Sequence, residues 1–176
     1  WSKRTILLYI NFSPGTNPGQ RNAALAQAKT LKYAHFAKKP MTFENYLEDL
    51  GNTKFVLAPP GNGLDCHRTW EALYLDIIPI VWSSSLNIHY EDLPIVVIND
   101  HSELNEQFLR TKLKEISMKK LSKEKIYNYE KLRNAYWRRL ILSKSKHNVS
   151  QQIHYRSNLC WNARSLISWN ELGFLS

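Results

Sequence analysis

Cysteine is scarce: Cys66 and Cys160 stand far apart in a chain of 176 residues. That excludes a disulfide framework and any pair of metal-spaced thiols, and makes a reducing compartment the default. Long apolar runs are missing as well, and none approaches the length of a membrane span. The opening WSKRTILLYI is too short and wrongly built for a signal peptide. It runs almost directly into a strand, so the chain is expected to be a fragment or an excised domain. Neither Gly-x-Gly-x-x-Gly nor the P-loop pattern occurs, which excludes the two common glycine fingerprints for nucleotides. No Asp-x-Asp triplet is present, so nothing calls for a divalent metal or another tightly bound cofactor. RNP, KH and zinc-finger patterns are lacking too, and there is no internal repeat.

What is present is ordinary for a globular domain: 43% hydrophobic and 22% charged residues in 20.6 kDa, enough for one sizeable core. The formal charge of +9 is unevenly placed. Residues 110–146 hold 13 Lys/Arg against 3 Asp/Glu, and the rest of the chain holds 11 against 12. The basicity therefore belongs to one helical region. It reads first as a solvated helix face, and second as a contact for a phosphate-bearing partner, an anionic surface or a missing domain. Asn148-Val149-Ser150 is a formal glycosylation sequon of a kind common by chance.

Apolar runs at 5–10 (TILLYI), 32–36, 55–58, 78–82 and 95–98 predict five strands. Between them fall helices at 21–30 and at 43–50, the latter with Thr42 as N-cap and Phe43, Tyr46, Leu47 and Leu50 on one face. A single helical turn is expected at 90–93, ahead of Pro94. A helix over 103–116 follows, capped from Asn99-Asp100 and Ser102. A long helix over 123–142 carries Ile126, Tyr129, Leu132, Tyr136 and Leu140 as a core stripe. Strands alternating with helices give an α/β fold with a Rossmann-like, doubly wound parallel sheet and C-terminal helices. Residues 1–146 are expected to form this domain, and 147–176 a helical tail docking on it or on a missing domain.

The stretch 54–82, KFVLAPPGNGLDCHRTWEALYLDIIPIVW, reads as one βαβ unit. Pro59-Pro60 extends the exit from the strand, and Gly61 and Gly63 would permit positive φ and close approach of a phosphate. Asp65 is placed to cap the helix. Cys66, Trp70, Leu73 and Ile77 should face the core, leaving His67, Arg68 and Glu71 together on another face. An arginine in a first turn opposes the helix dipole unless an anion is near. A diphosphate would be such an anion, with Arg68 as its clamp and Glu71 accepting hydrogen bonds from a ribose. The plain alternative is a surface Arg68–Glu71 salt bridge.

FVLAPPGNGLDCHRTWEALYLDIIPIV followed by SSSLNIHYEDLPIVVIND resembles the nucleotide-sugar-binding half of exostosin-like glycosyltransferases, including virus-encoded relatives. The match covers about residues 54–100, with a looser one at LLYINFSPGTNPGQRN. The resemblance implies the C-terminal-type half of a GT-B glycosyltransferase. Its donor would be a nucleoside-diphosphate sugar and its acceptor a glycan or glycoprotein. By the same resemblance Arg68 would contact the diphosphate and Glu71 the ribose. Gly61, Asn62, Gly63 and His67 would lie at the diphosphate, and Asn11, Ser13 and Arg21 would face the cleft. A virus-encoded chain of this kind would work in the cytoplasm, a eukaryotic one in the Golgi lumen. Where the pattern has Gly-Cys before Ile-Pro-Ile-Val, this chain has Asp76-Ile77, so a less tightly turned helix end is expected. No catalytic base is identified, because GT-B enzymes often carry it on an N-terminal acceptor domain. Two other readings stand beside this one: a catalytically silent interaction domain of the same fold, and a nucleic-acid-binding module using residues 110–146.

Overall fold

The computed structural model describes residues 3–38, 40–122 and 127–144. Five strands, β1 (Ile6–Ile10), β2 (Ala34–Phe36), β3 (Thr53–Leu57), β4 (Ile78–Trp82) and β5 (Val96–Ile98), alternate with helices. These are α1 (Pro18–Thr30), α2 (Phe43–Gly51), α3 (His67–Tyr74), the short α4 (Asn87–Tyr90) and α5 (Glu106–Leu121). A sixth helix, α6 (Asn134–Lys144), lies beyond the compact unit that ends at Leu132.

All five strands are parallel, in the order β2-β1-β3-β4-β5. The register pairs Leu8 with both Ala34 and Phe55, and Val56 with Pro79. Because the inner strands are buried on both faces, their sequences are continuously apolar rather than alternating. On one face Leu8, Phe55 and Ile80 meet Ala24 and Ala28 of α1 and Leu109 of α5. On the other, Tyr9 and Val56 meet Leu50 of α2 and Ala72 of α3. The sheet is thus wound on both sides, the α/β Rossmann-like arrangement that the alternation of elements implies.

Several expected boundaries move. α1 begins at Pro18, where the fixed φ of proline suits a first helical position and its missing N–H costs nothing. The capping signal at Asp100 serves a short 3-10 turn, His101–Glu103, closed by a reciprocal Asp100–Glu103 capping box. The helix proper starts after Asn105, whose side chain accepts from the N–H of Phe108, and it runs to Leu121. The single helical turn comes earlier, as α4, and Asp92 after it takes φ 60°.

The long helix over 123–142 is not one helix. Tyr127 and Asn128 are non-helical, Tyr129–Leu132 is a 3-10 turn, and α6 starts anew at Asn134. The stripe accordingly fails as a single core face: Ile126 lies outside the described residues, and Leu140 is exposed. Tyr127 is buried instead, against the α1 and α5 side of the sheet. The tail expected at 147–176 and the sequon lie outside the described residues. Among those described, no helix is long and apolar enough to cross a membrane.

Candidate functional site

Strand order reverses between β1 and β3, and in open α/β sheets the crevice beyond the carboxyl ends at such a reversal is where ligands settle. An open pocket of about 600 Å³ lies there, lined by Asn11, Pro40, Met41, Thr42, Phe43, Tyr46, Arg68 and Glu71. Asn11 comes from the loop after β1, and Arg68 and Glu71 from α3. The remaining residues form the entry to α2 and its first turn.

Arg68 and Glu71 share the pocket without pairing. The Nε of Arg68 is buried and has no hydrogen-bond partner, and the guanidinium takes part in none of the ion pairs among the described residues. Glu71 is engaged elsewhere: the phenol of Tyr46 donates to its Oε2 at 2.8 Å. Burial, and then this contact with Glu71, push the Tyr46 phenol above its ordinary value. The salt bridge that would have made these residues an unremarkable surface pair is therefore not made.

Asn11 is held from below. Its Nδ2 donates to the hydroxyl of buried Tyr9 at 3.4 Å, and that hydroxyl donates in turn to Asp49 Oδ2 at 3.0 Å. The amide is thereby fixed at the pocket floor with its oxygen free of any of these bonds.

Arg21 does not face the cleft. It is buried, donating from Nε to the carbonyl of Pro60 at 2.9 Å, from Nη1 to that of Ser13 at 2.8 Å, and from Nη2 to that of Pro59 at 3.5 Å. The ring of Phe12 lies 5.8 Å from the guanidinium carbon. Arg21 thus ties the loop after β1 to the Pro-Pro-Gly loop after β3. Burial, and then the charge of Arg68, pull its pKa below the usual arginine value. Two guanidiniums therefore lie within each other's field, Arg68 on the pocket wall and Arg21 behind it. Ser13 is exposed and contributes its carbonyl to Arg21, not a side chain to the pocket.

The Gly61–Gly63 loop sits beside the pocket without lining it. Neither glycine takes a left-handed φ, and the Gly61 N–H donates to the Gly63 carbonyl at 3.0 Å. Asn17 Nδ2 holds the Gly61 carbonyl at 3.1 Å. Asn62 and His67 are exposed and also outside the lining. Asp65 is not the helix cap. α3 begins one residue later than expected, after Cys66, and Cys66 makes no side-chain cap bond. The Asp65 carboxylate accepts from the Cys66 N–H at 2.9 Å, from the indole N–H of Trp70 at 2.7 Å and from the Tyr90 hydroxyl at 3.3 Å.

The inward face of α3 is correspondingly turned. Thr69, Ala72 and Leu73 are its buried residues, with Ile77 just beyond, while Cys66 and Trp70 are only half-buried. Small residues let the helix approach the sheet closely, and the bulky indole is displaced to the edge, where its N–H finds Asp65. The end of α3 is tight despite the absence of glycine. Ile77 N–H bonds to the Ala72 carbonyl at 2.8 Å and Asp76 N–H to that of Leu73 at 3.2 Å, with Asp76 itself at φ 56°.

Sequence reasoning placed Phe43 and Tyr46 on one face of α2 and missed them as pocket residues. Only Leu50 of that face is fully buried. The signal that could have found them was topological: a reversal between β1 and β3 brings the entry of α2 to the same crevice.

The basic surface of α5 is largely engaged. Arg110 pairs with Glu106 at 2.6 Å, Lys112 with Glu115 at 2.8 Å and Lys120 with Asp76 at 2.5 Å, while Lys119 lies 4.5 Å over the ring of Tyr127. Among the described residues no cluster of three or more His, Cys, Asp or Glu is placed to hold a metal. No model of a known protein family matches the chain, and no curated protein matches it either.

Proposed function

We propose that this chain is the donor-binding domain of an exostosin-like glycosyltransferase, which transfers a sugar from a nucleoside diphosphate to a glycan or glycoprotein acceptor. The observation that carries the reading is the unpartnered Arg68 guanidinium on the wall of the switch-point pocket, with its Nε buried and bonded to nothing. A half-buried arginine ordinarily finds a carboxylate. Here the nearest acid of its own helix is bound to Tyr46, and the neighbouring charge, Arg21, has the same sign. A ligand anion would satisfy both the free donors and the excess charge. The motif run from Phe55 to Asp100, which resembles the family's, supplies the reaction class.

In that role Arg68 would hold the diphosphate in the ground state and stabilise its charge as the glycosidic bond to it breaks. Arg21 would act at one remove, keeping the two loops in register and adding positive potential. Glu71, oriented by Tyr46, would accept from ribose hydroxyls. Asn11, fixed by Tyr9, faces the same space. The glycan acceptor and the base that activates it would come from an acceptor domain, so catalysis by this chain alone rests on binding and positioning.

Titration calorimetry with UDP, GDP and their sugars tests the reading. At least one should bind, and Arg68→Ala should weaken it by about tenfold or more, the loss expected for a charge-assisted contact to phosphate. Absence of binding by every nucleotide, or an Arg68→Ala variant that binds as well as the wild type, overturns it.

A further inference from the structure

Phe43 is the first residue of α2, and the residue is 67% exposed although it belongs to the helix's apolar stripe. An exposed phenylalanine by itself means little, since much of any protein surface is apolar. This one is set apart by position. It lines the same pocket as Arg68 and Glu71, and its ring centroid lies 6.2 Å from that of Tyr46, which in turn holds Glu71. Met41 and Pro40 make the adjoining wall apolar. One open pocket therefore presents a cation, a fixed carboxylate and an aromatic face. Inorganic phosphate would use the cation alone and a sugar phosphate the cation and, through its hydroxyls, the carboxylate, and both would leave the ring wet.

Building on the donor-site reading, we infer that Phe43 is the stacking platform for the nucleobase, and that it makes the pocket selective for nucleoside diphosphates over other diphosphates. Aromatic stacking is tolerant of base identity, because every base has a π-face. Phe43 accordingly confers preference for a nucleotide as a class, while choice among bases falls to polar groups at the base edge.

The test measures the affinity of the whole chain for UDP, GDP and inorganic pyrophosphate by calorimetry, in wild type, Phe43→Ala, Phe43→Tyr and Arg68→Ala. Phe43→Ala should weaken the bound nucleotide by about 5- to 150-fold, the range for losing one base–aromatic stack. Pyrophosphate binding should be unchanged, and Phe43→Tyr should restore the nucleotide. Arg68→Ala should weaken nucleotide and pyrophosphate alike. A Phe43→Ala variant that binds nucleotides as the wild type does, while Arg68→Ala fails to bind, overturns the stacking role and leaves the donor site standing. Equal weakening of nucleotide and pyrophosphate in Phe43→Ala would mean a distorted pocket and also overturns it. If the wild type binds none of the three, both readings fall together. Thermal melting of each variant shows whether the fold is intact, as an exposed ring leads one to expect.

Discussion

A β-carbon added to Gly61 would stand 3.1 Å from Nη2 of Arg21, closer than side chains ordinarily come. Arg21 cannot readily retreat, because its three nitrogens are spent on the carbonyls of Ser13, Pro59 and Pro60. The glycine of the Pro-Pro-Gly loop is therefore required by an arginine of α1, and by no unusual φ of its own. Gly61→Ala should cost about 1–3 kcal/mol, as overpacking does. Gly63→Ala, whose new atom would meet nothing nearer than 3.9 Å, should change stability by less than about 0.5 kcal/mol. Arg21→Ala should cost about 2–4 kcal/mol by leaving those carbonyls unsatisfied. In the double variant the two losses should not add, since the clash vanishes with the guanidinium. Denaturant unfolding of the four proteins decides the matter, and simple additivity would refute the coupling.

The Tyr46–Glu71 contact makes a different demand. Tyr46→Phe keeps the ring and removes only the donor that fixes the carboxylate. Its site is half-buried, so stability should move by no more than about 1 kcal/mol. On the proposed function, nucleoside diphosphates should lose several-fold in affinity while inorganic pyrophosphate binds unchanged, since only the ribose would sense Glu71. Loss of pyrophosphate binding in Tyr46→Phe would show that the pair supports Arg68 and not the ribose.

Much of this architecture was legible because strand and helix periods write themselves into short windows. The five apolar runs and the amphipathic segments between them suffice for a doubly wound parallel sheet. What escaped depends on partners distant in sequence. Nothing near Arg21 announces that its acceptors are the carbonyls of residues 38 and 39 positions onward. The stripe Phe43–Tyr46–Leu47–Leu50 has helical spacing, yet spacing says only which residues share a face and not what covers them. Leu50 is covered by the sheet, whereas Phe43 is left at the pocket. Asp65 has the chemistry of an N-cap, but it bonds the N–H of Cys66 one residue before the helix and shares its oxygens with Trp70 and Tyr90. Arg68 and Glu71 were found because their helical offset put them together. That they do not pair is a tertiary fact, made by Tyr46.

Buried phenols give the fold an alkaline limit. Burial raises the pKa of Tyr9, Tyr46 and Tyr90, and contacts with Asp49, Glu71 and Asp65 respectively raise each further. Burial also pushes Tyr33 and Tyr127 up to about 12. An acid whose folded pKa lies above its unfolded value keeps its proton longer when folded. The stabilisation is whole below the unfolded value near 10 and is lost as pH rises through the folded one. Stability should therefore decline from about pH 10 upward. Tyrosinate absorbance should rise in two stages, with exposed phenols first and the buried ones together with loss of circular dichroism. A single reversible titration near 10 with the fold intact would contradict this.

Asp76 occupies the position where a tight helix end favours glycine, and its φ of 56° carries the cost of a β-carbon in the left-handed region, about 1 kcal/mol. Two contacts work against that cost. Its carboxylate pairs with Lys120 at 2.5 Å, both side chains substantially exposed, and its carbonyl accepts from Arg4 Nη1 at 2.8 Å. The exposed pair is worth at most about 1 kcal/mol, and the carbonyl contact belongs to the backbone and survives any side chain. Asp76→Gly should therefore leave stability within about 1 kcal/mol of the wild type, strain relief offsetting the lost pair. Asp76→Asn tolerates the same backbone and should also stay within about 1 kcal/mol. Asp76→Val keeps the β-carbon, adds branching and loses the pair, and should cost about 2 kcal/mol or more. Raising salt should narrow the gap between wild type and Asp76→Asn, since screening removes the ion pair, and should leave the penalty of Asp76→Val over Asp76→Asn unchanged. Equal stability of the valine and asparagine variants would mean that the turn relaxes out of the left-handed region, and the strain assigned to Asp76 would be disproved.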